Sequence, residues 1–135
     1  MFVIDASVAL AWCFEDEATP HADALLARLE QEEAAAPAIW PLEVANGIRS
    51  AERRGRIDER EIPALAQLML ALPIRIEEVP LDAALGDVLQ LARALGLSAY
   101  DAAYVALALH RAIPLATLDD SLARAATAAG AELLA

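Results

Sequence analysis

Hydrophobic and polar positions follow two rhythms along the chain. Short apolar runs of the kind a buried strand needs alternate with longer stretches of helical period. Met1–Ile4 predicts a first strand, and Ala6–Phe14 a short helix directly after it. His21–Glu33 predicts a second helix with Leu25, Leu26 and Leu29 inward. "AAPAIW", residues 35–40, reads as a second strand interrupted by Pro37. Pro41 suits the first turn of a helix that reaches Arg54 and stops at Gly55. Asp58 can cap a helix running to Leu72, and "IRIEEV" alternates with period two as a third strand. Leu81–Leu95 is helical and ends at Gly96; Ser98–Arg111 is another helix. "IPLATL" is a fourth strand, Asp119 or Asp120 opens a last helix that ends at Gly130, and "AELLA" is a candidate fifth strand. Alternating β and α with short joins implies a mainly parallel sheet covered by helices. The expected fold is therefore α/β: a single-domain α/β/α sandwich over residues 1–135 with about five strands. In such folds ligands bind outside the carboxyl ends of the strands.

Composition narrows the class. The chain has 135 residues and one cysteine, Cys13, so no internal disulfide forms. No apolar run approaches the length of a membrane span, about 18 residues or more. The N-terminus lacks the basic segment and apolar run of a signal peptide, so a cytoplasmic protein is expected. The net charge of −11 argues against simple electrostatic attraction to phosphate. It leaves room for a nucleic-acid enzyme whose acidic site carries metal. The cations are unevenly spread: Arg49, Arg53, Arg54 and Arg56 lie together in "IRSAERRGRI". They read either as a solvated helix end or as a phosphate or partner contact.

Four acids stand where a strand ends or a helix begins: Asp5, Glu43, Asp101 and Asp119. Each has an ordinary explanation. Asp5 can cap a helix, and Asp119 or Asp120 can cap the last one. Glu43 can favour a helix N-terminus, and Ser98 with Asp101 fits a capping box. Caps alone do not predict the polar companions, however. Ser7 stands two residues after Asp5, Asn46 three after Glu43, and Thr117 two before Asp119. Converging carboxylates need relief from repulsion, through raised pKa values or a bound cation. Oxygen ligands suit Mg²⁺ or Mn²⁺. Such a centre can activate water and stabilise a leaving oxygen on phosphate. There is no cysteine–histidine spacing for zinc, no Gly-rich phosphate loop and no Gly-x-Ser-x-Gly elbow. His21 and His110 read as surface or helix-end residues. Trp12, Phe14 and Trp40 read either as core or as a partner surface, and so do Leu65, Leu68, Met69 and Leu72.

The segments "VIDASVALAW", "PLEVANGIR", "LSAYDAAYVALA" and "LATLDDSLARAA" resemble the PIN-domain family, and more closely the VapC toxins of toxin–antitoxin pairs. The resemblance spans Phe2 to Leu133. It implies a Rossmann-like α/β/α sandwich and a metal-dependent endoribonuclease. It implies an acidic quartet of Asp5, Glu43, Asp101 and Asp119 around Mg²⁺ or Mn²⁺. Asp5 and Asp101 would hold the metal, with Glu43 and Asp119 acting directly or through water. Ser7, Asn46 and Thr117 would be supporting polar residues. It also implies an RNA substrate, a VapB-like antitoxin and a homodimer, with no membrane partner. RNA contacts would rest on the cluster of Arg49, Arg53, Arg54 and Arg56, which could equally meet a partner, on the metal, or on a groove of the dimer. Asp120, beside Asp119, leaves the fourth position ambiguous. Two rivals are weighed. A haloacid-dehalogenase-like phosphatase would want an Asp at the Ser7 position and a lysine, and the chain has no lysine. A catalytically inactive, partner-binding module of the same fold is the other.

Overall fold

Three apolar residues start the sheet. Phe2–Ile4 forms β1, buried at every position. The structure, a computed structural model, describes residues 1–134. The chain then runs α1 (Ala6–Cys13), α2 (Pro20–Arg28), β2 (Ala34–Pro37) and α3 (Trp40–Arg53). It continues through α4 (Ile62–Leu70), β3 (Ile74–Glu77), α5 (Leu81–Ala83), α6 (Leu89–Leu95), α7 (Ala99–Arg111), β4 (Leu115–Ala116) and α8 (Asp120–Ala128). The strands pair in the order β3-β2-β1-β4, all parallel. β1 and β2 are wholly buried because helices cover both faces. β3 is the half-exposed edge: Ile74 and Glu77 are half-buried, Arg75 and Ile76 exposed.

The strand order places β2 and β3 on one side of β1 and β4 on the other. The crevice between the ends of β1 and β4 is thus the topological switch point. The register sharpens this: Ile4 pairs with Ala116, and Asp5 N donates to Ala116 O at 3.2 Å. The next residue along β1 is Asp5, and the next along β4 is Thr117.

Several expectations need correction. The sheet has four strands among the described residues, not about five. The segment "AELLA" gives only a single bridge, Leu133 beside Leu115, and its last residue, Ala135, lies outside the described residues. β4 is itself two residues long, so there is little edge for a longer partner to follow. The helix expected over Leu81–Leu95 is broken: a π-helical turn, Ala84–Val88, separates α5 from α6. The break sits at Gly86, where ψ is −105° and no Cβ opposes the departure. α2 stops at Arg28 rather than Glu33, since the chain must turn into β2; Glu32 there binds the N-terminal amine at 2.9 Å and Arg28 at 2.9 Å. Asp58 caps a 3₁₀ turn, Glu59–Glu61, ahead of α4.

Trp40 and Phe14 are buried, and Trp12 is half-buried with its indole N–H donated to Ala22 O at 2.8 Å. These aromatics serve the core. Leu65, Leu68, Met69 and Leu72 are half-buried. Among the described residues, no helix is long and apolar enough to cross a membrane.

Candidate functional site

Asp5 is the only buried charged residue among those described, at 5% exposure. Its place is set by the strand register, and its carboxylate is fully dressed by neighbours. Oδ1 accepts from Ser7 Oγ at 2.6 Å and from Val8 N at 3.3 Å, the latter capping α1. Oδ2 accepts from Thr117 Oγ1 across the switch point. The two hydroxyls are fixed in turn from the other strand's loop. Leu118 N donates to Ser7 Oγ at 2.9 Å, and Asp119 N to Thr117 Oγ1 at 3.0 Å. Both hydroxyl protons therefore point at Asp5. Burial outweighs these bonds and, with the nearby Asp119 charge, pushes the Asp5 carboxyl up to about 6.

Asp119 caps α8, its Oδ1 accepting from Ser121 N at 2.9 Å and Leu122 N at 3.1 Å. Asp120 is the first residue of that helix; Asp119, not Asp120, acts on Asp5 and Asp101 and is the acid nearer the crevice. Asp101 lies in the first turn of α7. The capping box expected there is half made: Ser98 Oγ accepts from Asp101 N at 3.1 Å, which leaves the Asp101 carboxylate uncommitted. Burial and then the Asp119 charge hold Asp101 above the usual carboxylate range. Replacing Ser98 by alanine should cost about 1 kcal/mol. That would appear as a melting temperature lower by about 3–5 °C.

Glu43, in the first turn of α3, is held by a residue that the sequence reading did not single out. Tyr104 Oη donates to Glu43 Oε1 at 2.5 Å, from a side chain only 1% exposed. Burial foremost, then Glu43, Asp5 and Asp101, raise the Tyr104 phenol above its ordinary value. The hydroxyl thus stays a donor. A signal was present: a tyrosine one turn after Asp101 in an apolar helix needs a partner for its polar tip.

These groups bear on one another electrostatically. Asp119 acts on both Asp5 and Asp101, while Glu43, Asp5 and Asp101 all act on Tyr104. Among the described residues none of the four acids is in an ion pair. Three of them keep whole oxygens free, Asp101 both and Glu43 and Asp119 one each, while both oxygens of Asp5 are engaged. Uncompensated carboxylates with free oxygens suit a hard divalent cation. No three acidic, histidine or cysteine side chains among the described residues already stand at mutual ligand distance.

Other expected residues lie apart. Asn46 is exposed, one turn beyond Glu43, and makes no side-chain hydrogen bond among the described residues. A groove of 560 Å³ runs from Ser7 and Leu118 past Gly47 to Arg54 and Arg56. Arg56 is occupied: it binds Asp16 at 2.9 and 3.0 Å and lies 4.7 Å above the Phe14 ring. Arg49 pairs with Glu52 at 3.0 Å. Arg53 and Arg54 are exposed and carry no ion pair among the described residues. His21 and His110 lie on α2 and α7, outside the crevice. The Cys13 thiol is pushed up to about 11 by burial and by Glu17, so it is protonated at neutral pH.

A family model described as PIN domain matches residues 2–128. Among solved structures, the chain is similar to the crystal structure of PAE2754 from Pyrobaculum aerophilum. The identity is 26% and the TM-score 0.70, over 92% of this chain and 84% of that one. It is also similar to a toxin-antitoxin complex from Klebsiella pneumoniae, at 18% identity and a TM-score of 0.59, over 88% of this chain and 87% of that one. Likeness at the latter identity concerns the fold alone. None of the curated proteins matches the chain.

Proposed function

Because the chain belongs to the PIN-domain family, whose members are generally nucleases, we propose that it is a Mg²⁺- or Mn²⁺-dependent endoribonuclease of VapC type. Its role would be the toxin of a toxin–antitoxin pair in the cytoplasm. The observation that carries this reading is the crevice. Asp5 stands beside it at the end of β1, Asp119 acts on both Asp5 and Asp101, and among the described residues no cation pairs with any of the four acids. An inactive module would need Asp5 only as the cap of α1, a place an uncharged asparagine or serine fills without burying a charge.

In this reading Asp5 and Asp101 hold the metal, and Glu43 and Asp119 act directly or through water. Mg²⁺ commonly keeps several waters and takes only one or two carboxylates from the protein. When bound, the metal would supply Lewis acidity to a phosphate oxygen and acidity to a water. The chain's own residues do the positioning. Ser7 and Thr117 aim the Asp5 carboxylate, Tyr104 aims Glu43, and Asn46 stands one turn along α3 as a supporting group. The groove toward Arg54 offers a path for phosphates, with Arg53 and Arg54 free to meet them. The toxin role draws on the likeness of the motif segments to VapC toxins and on the fold shared with the Klebsiella pneumoniae complex. A VapB-like antitoxin would be the partner. Leu81 on α5, Leu85 on the π-helical turn and Leu89 on α6, all exposed, support a homodimer.

Metal-stripped chain should melt higher in millimolar Mn²⁺. A ligand at about 100 times its Kd stabilises by about 2.7 kcal/mol. The shift should disappear in Asp101→Asn. An equal shift in both chains would remove Asp101 from the metal site, and no shift in either would favour the inactive module.

A further inference from the structure

Beside the acids lies a second depression that the proposed chemistry does not use. It is a hollow of 340 Å³ lined by Ala38, Ile39, Val79, Val88, Tyr100 and Ala103, among others. Its walls carry no charge. It adjoins the crevice on the Glu43–Asp101 flank. Ile39 O accepts from Glu43 N at 3.0 Å, one turn ahead of that acid, and Tyr100 directly precedes Asp101. It shares no residue with the arginine groove, which starts from Ser7 and Leu118 on the Asp5–Asp119 flank.

Tyr100 is the unusual wall. It is 61% exposed, far from the near-complete burial of Tyr104 on the same helix. No hydrogen bond among the described residues holds its hydroxyl. The fold makes little use of this ring. A strand crossing an acidic crevice on a chain of net charge −11 gains little from long-range attraction. It needs affinity that does not depend on charge, and stacking of a base on an aromatic ring supplies that. No cationic side chain lines the hollow to hold a phosphate. The volume is at the lower end for small-molecule sites, about 300–1,000 Å³, the scale of one base rather than of a duplex.

We propose that this hollow receives one nucleobase of a single-stranded RNA, stacked on Tyr100, and so fixes which phosphodiester lies over the acids. The proposal rests on the ribonuclease reading. It makes Tyr100 a positioning and specificity residue.

The test uses the full chain in Mn²⁺ with single-stranded oligoribonucleotides of about 12 nucleotides. Tyr100→Ala should keep the native melting temperature and lower kcat/KM about tenfold, mostly through KM. Tyr100→Trp should restore it. An abasic nucleotide at one position near the cut should cost the native chain a similar factor, and Tyr100→Ala should add nothing on that RNA. Unchanged cleavage by Tyr100→Ala, or losses that multiply on the abasic RNA, would overturn the proposal and give the hollow to a protein segment. A change in solution mass on Tyr100→Ala would also overturn it, by giving the face to a second copy. If the native chain cuts none of these RNAs, the nuclease reading fails on its own. Fluorescence anisotropy of the uncut oligonucleotides then decides for Tyr100, by weaker binding in Tyr100→Ala or by equal binding.

Discussion

Asp5→Asn is expected to abolish RNA cleavage while making the metal-free fold more stable at neutral pH. The two effects share one cause. Asp5 is 5% exposed, and burial sets its folded pKa at about 6, against an ordinary 3.8. Below the lower value both folded and unfolded chains hold the proton. Between the two values only the folded chain does. Asp5's contribution to stability is therefore complete at low pH and is lost as pH rises through the folded pKa, by up to about 3 kcal/mol. Asparagine avoids that loss and fits the same bonds. Its oxygen can accept from Ser7 and Val8, and its amide can donate to Thr117 Oγ1. In chelator at pH 7.5, urea unfolding should show the variant more stable by about 2–3 kcal/mol. The gap should close toward pH 4. Cleavage should fall about a thousandfold, as expected for losing about 4 kcal/mol of transition-state stabilisation. A variant less stable than the native chain in chelator would show that the buried charge is not opposed by the fold. Mn²⁺ should narrow the stability gap, since only the native carboxylate gains from it.

The divided role of Asp5 explains what could be read from the sequence. "FVIDAS" shows a buried strand followed by a helix cap, and both are present: β1 is wholly buried and Asp5 caps α1. The cap and the proposed ligand turn out to be one residue, so the two readings were never exclusive. The companions Ser7 and Thr117 were legible by spacing, because strand register brings position 117 beside position 5. Glu43's partner was legible only in part: Tyr104 in an apolar helix needs a partner for its hydroxyl, but nothing local points to an acid 61 residues away. The arginine cluster was visible as composition. That Arg56 is already bound by Asp16, 40 residues earlier, depends on how the helices meet. The same holds for the fold. Caps and stops such as Ser98, Gly96 and Gly55 are local chemistry and were readable. The break at Gly86 and the short β4 depend on packing, which periodicity does not carry.

Tyr104 allows packing and hydroxyl to be separated. Its ring is 1% exposed and touches the main core, so Tyr104→Ala should open a cavity costing about 3–5 kcal/mol. The melting temperature would then fall by about 10–20 °C. Tyr104→Phe keeps the ring and removes only the donor to Glu43 Oε1. That loss should cost about 1 kcal/mol of stability, because half-buried Glu43 can turn to water. Its effect on cleavage should be larger, about 10- to 100-fold, since a group that orients a metal-site carboxylate is worth that much. The phenol is held well above its ordinary pKa by burial and by Glu43, so it keeps its proton and acts only by orienting Glu43. A double-mutant cycle tests this. In a Glu43→Gln background, Tyr104→Phe should cost little further activity. Additive losses would mean that Tyr104 acts on the crevice by another route, through Asp5 or Asp101, the other two charges that act on its phenol.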